Sequence, residues 1–111
     1  MANEKKPTRN HLISRKKVFE FVANHPGAER DLEALLAWCK VVENDDWRNF
    51  ADVRAVFPYA DLIGDLVCFN VGGNKYRILV GIDFRADVDQ PAWVYVEMVL
   101  THKEYDKLNL G

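Results

Sequence analysis

Apolar residues in the first half of the chain recur at helical spacing, and from Leu66 onward they recur at alternate positions. Leu32, Leu35, Leu36, Cys39 and Val42 fall on one stripe at the 3.6-residue period. A helix is therefore expected over residues 28–43, broken by Asn44-Asp45-Asp46. Ahead of it, Ser14 is the candidate N-cap of an earlier helix, with Ile13 and Val18 spaced for a hydrophobic staple. That helix is expected to turn Val18, Phe19 and Val22 inward and to stop before His25-Pro26-Gly27. Asn49, with Asp52 three residues later, caps a short third helix running through Val56 and ending at Pro58.

In the second half, Leu66 to Val71 and Lys75 to Phe84 flank Gly72-Gly73-Asn74, a turn that supplies the positive φ of a tight hairpin. Tyr76, Ile78, Val80, Ile82 and Phe84 alternate onto one face of the second strand, and Lys75, Arg77, Leu79, Gly81 and Asp83 onto the other. A third strand is expected from Trp93 to Leu100, and Thr101-His102-Lys103-Glu104 is a capping box that opens a short final helix. His11-Leu12-Ile13 is a candidate edge strand. This order predicts an α+β domain: an antiparallel sheet, made of a short N-terminal strand and a three-stranded meander, with helices on one face. Residues 1–10 are polar and basic and are expected to be a flexible arm, leaving residues 11–111 as a single domain.

The chain has 111 residues, 49% of them apolar and 29% charged, which suits one folded domain. No apolar run approaches the ~18 residues of a membrane helix and no signal-peptide core follows the start, so a cytoplasmic protein is expected. Cys39 and Cys68 lack C-x-x-C spacing and read as reduced, buried hydrophobes, with a single disulfide left open. His11, His25 and His102 show no metal-ligand spacing, and Gly72-Gly73 precedes no helix, so neither a metal nor a nucleotide cofactor is expected. The net charge of −2 hides strong blocks: residues 1–17 carry six basic and one acidic side chain, residues 18–69 four against ten. A cationic face on an acidic body is compatible with a polyanionic partner.

Phe69-Asn70-Val71-Gly72-Gly73-Asn74-Lys75-Tyr76-Arg77, followed by Thr101-His102-Lys103-Glu104-Tyr105-Asp106, resembles the HigB toxins of the RelE superfamily. His11-Leu12-Ile13-Ser14-Arg15-Lys16 and the stretch from Trp47 to Arg54 before Phe57-Pro58 are similar as well, so the resemblance spans residues 11–108. It implies a RelE-like fold and the toxin of a type II toxin–antitoxin system. It also implies a ribosome-dependent endoribonuclease, an mRNA interferase that cuts translated mRNA by 2′-OH attack, without metal or cofactor. The implied partners are a helix-turn-helix, HigA-like antitoxin and the mRNA in the ribosomal A site. Operator DNA is reached only through the antitoxin complex, and no membrane is involved. Two alternatives remain open: a weakened RelE-like module that binds antitoxin or RNA without cleaving, and a relative that targets gyrase.

Such a cleavage needs cations for the phosphorane, an acid, a base and an oriented nucleotide. Arg77, opposite the core face, can hold two phosphate oxygens, unless it is a solvated strand arginine paired with an acid. Lys75 adds a second cation on the same face or guards the hairpin edge. His102 falls in the first turn of the last helix, where the positive end of the dipole favours neutral imidazole and backbone N–H groups are offered to a phosphate. Tyr105, on the same helical side, donates a proton, stacks on a base, or closes a staple with Leu100. Lys103, Asn70, Asn74 and Arg54 rank second; Arg15, Lys16 and Lys17 touch an RNA backbone or form a solvated helix turn. Trp38, Trp47 and Trp93 read as core or partner-facing. Glu97 stands where the resembled toxins commonly carry Arg. It is expected on the face of Tyr95 and Val99, where it either pairs with Arg77 or repels a phosphate.

Overall fold

The computed structural model describes residues 9–87 and 89–108; residues 1–8 of the expected arm lie outside the described residues. The chain runs through β1 (His11–Ile13), α1 (Lys16–Ala23), a 3-10 turn over Ala28–Asp31, α2 (Leu32–Glu43) and α3 (Phe50–Val56). It continues through β2 (Asp61–Ile63), β3 (Leu66–Val71), β4 (Tyr76–Asp83), β5 (Trp93–Thr101) and α4 (His102–Lys107). The strands form one sheet in the order β1-β5-β4-β3-β2, an α+β architecture. β1 lies parallel to β5, so the sheet is mixed, while the other neighbouring pairs are antiparallel. β2 joins β3 through the two-residue turn Gly64-Asp65, with Gly64 at φ +61°, a hairpin whose first strand, at three residues, is too short to carry an alternating pattern in the sequence.

The core lies between the sheet and α1, α2 and α3. Leu35, Cys39 and Val42 of the α2 stripe are buried, Leu32 and Leu36 pack at its margin, and Trp38 joins them edge-on to Phe69 of β3. Tyr76, Ile78 and Val80 of β4 meet this layer, as do Val94 and Val96 of β5. Trp47, fully buried, stacks near Phe69 at 6.1 Å. Asn49 caps α3 as the sequence indicates, its side chain accepting from the Asp52 N–H at 3.0 Å.

Start and facing of α1 differ from the sequence expectation. Ser14 adopts a left-handed φ of +73° and makes no side-chain cap; the helix begins after Arg15. Val18 and Phe21, three residues apart, are buried, whereas Phe19 lies about 100° round the helix from Val18 and is exposed. Asn10, in the last position of the expected arm, is buried: it donates to the Val42 carbonyl at 2.9 Å and accepts from the Trp47 N–H at 2.9 Å.

A bulge in β5 decides which side chains reach the second face of the sheet. Leu79 pairs with Met98 but Val80 pairs with Val96, which leaves Glu97 as the extra residue. Beyond it the alternation changes phase. Val99 joins Ile78 over the core, and Leu100 comes to stand opposite Arg77. The expected grouping of Glu97 with Val99 is thereby corrected. The Glu97 carboxylate lies over Gly81, on the face of Tyr95, which pairs with Gly81.

Candidate active site

Arg77 is at the hairpin end of β4, paired with Asn70 of β3 and Leu100 of β5. Gly72, Gly73 and Asn74 all have positive φ (68°, 64° and 81°), which turns the chain tightly enough to bring the Asn74 carbonyl back over the start of β4. Arg77 Nη1 donates to that carbonyl at 3.1 Å and to the Tyr76 carbonyl at 3.2 Å. Its Nη2 donates to Nδ1 of His102 at 2.7 Å, and the guanidinium lies 5.5 Å from the centre of the Tyr105 ring. Arg77 is only 7% exposed, so it is a held group and not a solvated strand arginine. A guanidinium has five N–H donors, and these contacts leave others for an incoming anion.

α4 brings His102 and Tyr105 to Arg77. The Thr101 hydroxyl accepts from the Glu104 N–H at 3.0 Å and the Glu104 carboxylate accepts from the Thr101 N–H at 2.9 Å, the capping box the sequence predicts. The His102 N–H donates to the Lys75 carbonyl at 2.8 Å, tying the start of α4 to the hairpin. Those bonds consume three of the backbone donors at this helix end, the N–H groups of Thr101, His102 and Glu104, that would otherwise be offered to a phosphate. Because Arg77 can only donate, His102 Nδ1 accepts, and the proton of the neutral ring sits on Nε2. Nε2 faces the Asp106 carboxylate at 3.4 Å, one helical turn on. Burial pushes the Tyr105 phenol up, and the neighbouring Cys68 adds to it, so the phenol keeps its proton at neutral pH.

Lys75 is not part of this cluster. It precedes β4, and its ammonium reaches Asp31 at 3.3 Å on the helical side of the hairpin. The Tyr76 hydroxyl donates to the same carboxylate at 2.7 Å. Asn70 is exposed directly across from Arg77 and belongs with it. Lys103 is exposed on α4 beside His102. Arg54 donates to the Pro58 carbonyl at 2.8 Å from α3, which fastens the end of that helix and makes no contact with Arg77. Arg15 pairs with Glu43 at 3.5 Å, and Lys16 is exposed at the start of α1; neither meets the cluster. Glu97 is not among the partners of Arg77 described above, which are His102 and two turn carbonyls. Trp93 is partly exposed and packs against the His11 ring, tilted to it, with centroids 4.4 Å apart, whereas Trp38 and Trp47 are core.

Asp106 and the turn carbonyls are the site members that residue-by-residue reading passes over. Asp106 carries a signal, since it follows His102 by four positions on a helix. The role of the Asn74 and Tyr76 carbonyls has none, because any residue supplies a carbonyl.

The fold and the cluster thus define a small α+β protein with an arginine, a histidine and a tyrosine assembled between a hairpin and a C-terminal helix. A family model described as HigB toxin, RelE-like toxic component of a toxin-antitoxin system, matches residues 31–108. The chain belongs to this family, and an antitoxin is its partner by that membership. The mRNA interferase toxin HigB of Escherichia coli K12 is 30% identical over 99 residues, covering 86% of this chain and 88% of that protein. Proteins named mRNA interferase HigB from Escherichia coli O157:H7 and Shigella flexneri align with the same identity and coverage. Among the described residues, no helix is long and apolar enough to cross a membrane.

Proposed function

We propose that this toxin is an mRNA interferase that cleaves translated mRNA in the ribosomal A site and so inhibits translation. The observation that carries the reading is the contact of the buried Arg77 guanidinium with His102, under the Tyr105 ring. In the reaction, the 2′-oxygen attacks the adjacent phosphorus, the bond to the 5′-oxygen breaks, and a 5′-hydroxyl end is released. Arg77 binds the non-bridging oxygens, where charge builds up in the phosphorane, from a position already fixed by the turn carbonyls. The Tyr105 phenol is the proton donor for the departing 5′-oxygen, while neutral His102 keeps its single proton and donates a hydrogen bond from Nε2–H to the phosphate. The lone pair of His102 Nδ1 is occupied by Arg77 and the Tyr105 phenol is held protonated, so the 2′-proton passes to a group that surrounds the substrate on the ribosome. Asn70 and Lys103, exposed beside the cluster, orient the nucleotide and its flanking phosphate. A helix-turn-helix antitoxin silences the toxin, and operator DNA is met only through that complex.

The deciding experiment is induction of the wild type and of Arg77→Ala in cells lacking the antitoxin, with primer extension on a translated mRNA. Growth arrest with codon-phased 5′-hydroxyl ends, lost in Arg77→Ala, is the expected result. Uncut mRNA with soluble wild-type protein overturns the reading in favour of a binding module. A DNA-damage response without codon-phased cuts overturns it in favour of a gyrase target.

A further inference from the structure

His25 stands just past the end of α1, outside the Arg77 cluster, and both of its ring nitrogens face acceptors. Nδ1 is 2.7 Å from the Phe21 carbonyl oxygen, and Nε2 is 2.8 Å from a Glu104 carboxylate oxygen. Neither acceptor can donate, so both contacts are hydrogen bonds only when each nitrogen carries a proton and the ring is an imidazolium. Stacking on Phe21, with centroids 3.9 Å apart, fixes the ring plane. The Glu104 carboxylate held by this ring also closes the capping box with Thr101, which sets where α4 begins. His102 opens that helix and Tyr105 follows Glu104, so any displacement of the box moves both away from Arg77.

We propose that His25 is a positioning residue for the cleavage site: as an imidazolium it clamps Glu104 and thereby holds His102 and Tyr105 in register with Arg77. The inference rests on the interferase reading for its consequence in catalysis, but the clamp itself is independent of it. Removing one proton turns either contact from attraction into a lone pair facing an oxygen, so the clamp acts only while the ring is charged. Partial burial works against that charge, but the bonds to Glu104 and to the Phe21 carbonyl outweigh it and raise the pKa of His25 above 6.5. The clamp is therefore complete below about pH 6.5 and is lost as pH rises through the raised value.

The other charged groups around the ring are already engaged or lie further along the cleft. From the 3-10 turn, the Glu29 carboxylate accepts from the Gly27 N–H, and Asp31 is taken by Lys75 and Tyr76 of the hairpin segment. Arg30 lines the same cleft. From α4, Glu104 is the carboxylate bonded to the ring.

The test uses the full chain freed from its antitoxin, in wild-type, Glu104→Gln, His25→Gln and His25→Ala forms. Gln at position 104 keeps the capping box but removes the charge that His25 faces. Nitrogen-15 NMR of the His25 ring between about pH 5 and 9 is expected to give a midpoint above the ordinary value of about 6.5. The Thr101 and Glu104 amides are expected to share that midpoint, and Glu104→Gln to bring it down to the ordinary value. On mRNA-programmed ribosomes, both His25 variants are expected to lose about tenfold in kcat with KM within about twofold, and to lose the alkaline fall in rate. An unchanged His25 midpoint in Glu104→Gln, or α4 amides blind to it, overturns the clamp. Wild-type rates and pH profiles in the His25 variants overturn the positioning role. A wild type that shows the NMR coupling yet cuts nothing at any pH overturns the interferase reading and, with it, the catalytic consequence, while leaving the clamp in place.

Discussion

The guanidinium of Arg77 donates to Nδ1 of His102 across 2.7 Å, joining the hairpin end of the sheet to the first residue of the C-terminal helix. The contact settles three things together. It selects the His102 tautomer, it leaves Nε2–H directed outward beside Asp106, and it holds a cation in place before any substrate arrives. Preorganisation of this kind is what a reaction dominated by charge on a phosphorane requires, because no reorganisation cost remains to be met as the charge develops.

Replacing Arg77 is expected to cost cleavage by about 10²–10³-fold in Arg77→Ala, measured as single-turnover rates on programmed ribosomes. Arg77→Lys keeps the charge but loses the planar fork that spans His102 and two carbonyls, so it is expected to recover no more than about tenfold of that loss. A lysine variant at wild-type rate contradicts the bidentate role. Circular dichroism of each variant separates a lost site from a lost fold.

Two variants divide the roles of Tyr105. Tyr105→Phe keeps the ring over Arg77 and removes only the proton, and a fall of about 10²-fold in cleavage is expected if the phenol serves as acid. Since burial raises its pKa, the wild-type rate should not fall on account of this group below about pH 10. Full activity in Tyr105→Phe, with loss in Tyr105→Ala, assigns stacking to this residue.

Tyr76 and Asp31 form a pair whose titration reports on the hairpin. The Tyr76 phenol is pushed up to about 12, first by burial and then by the hydrogen bond to Asp31. That same bond lowers the Asp31 carboxyl, with Lys75 assisting. A folded phenol pKa above the unfolded value means its stabilisation is complete below about pH 10 and is lost as pH rises through 12. The depressed carboxyl behaves in the opposite sense: its contribution is present above its unfolded pKa of about 3.9 and is lost as pH falls through the lower folded value. Asp31→Asn is expected to bring the Tyr76 titration back toward about 10, followed by tyrosinate absorbance. An unshifted curve contradicts the pairing.

Asn10→Ala strands the Trp47 N–H in the core and removes one of the two donors to the Val42 carbonyl, which keeps the Asp45 N–H. A loss of about 2 kcal/mol is expected, seen as a fall of roughly 10 °C in Tm by thermal denaturation. A change within about 0.5 kcal/mol indicates that the site relaxes or hydrates.

Glu97 separates a side-chain effect from a backbone one. Glu97→Ala retains the bulge and is expected to stay within about 0.5 kcal/mol of wild type and to leave cleavage intact. Deleting residue 97 removes the extra residue and leaves Met98, Val99 and Leu100 opposite Leu79, Ile78 and Arg77, so a soluble folded protein with Val99 still over the core is expected. A deletion variant that no longer folds contradicts the assigned register.

The amino-acid sequence determined the elements whose causes are local. The α2 stripe, the Asn49 cap, the Gly72-Gly73-Asn74 turn and the Thr101/Glu104 box each depend on residues within a few positions of one another, and each stands where the spacing puts it. The motif pair likewise pointed to Arg77, His102 and Tyr105. Only the tertiary structure decided how these meet. Arg77 and His102 are 25 positions apart, Lys75 and Asp31 44, and no periodicity links them. Lys75 leaves the cluster because a carboxylate on the 3-10 turn before α2 attracts it, a competitor that strand alternation cannot reveal. The parallel pairing of β1, the short β2 and the Glu97 bulge escaped for a related reason. Strand pairing is a contest among distant segments for the same backbone hydrogen bonds, and its outcome depends on how the whole sheet buries its apolar face.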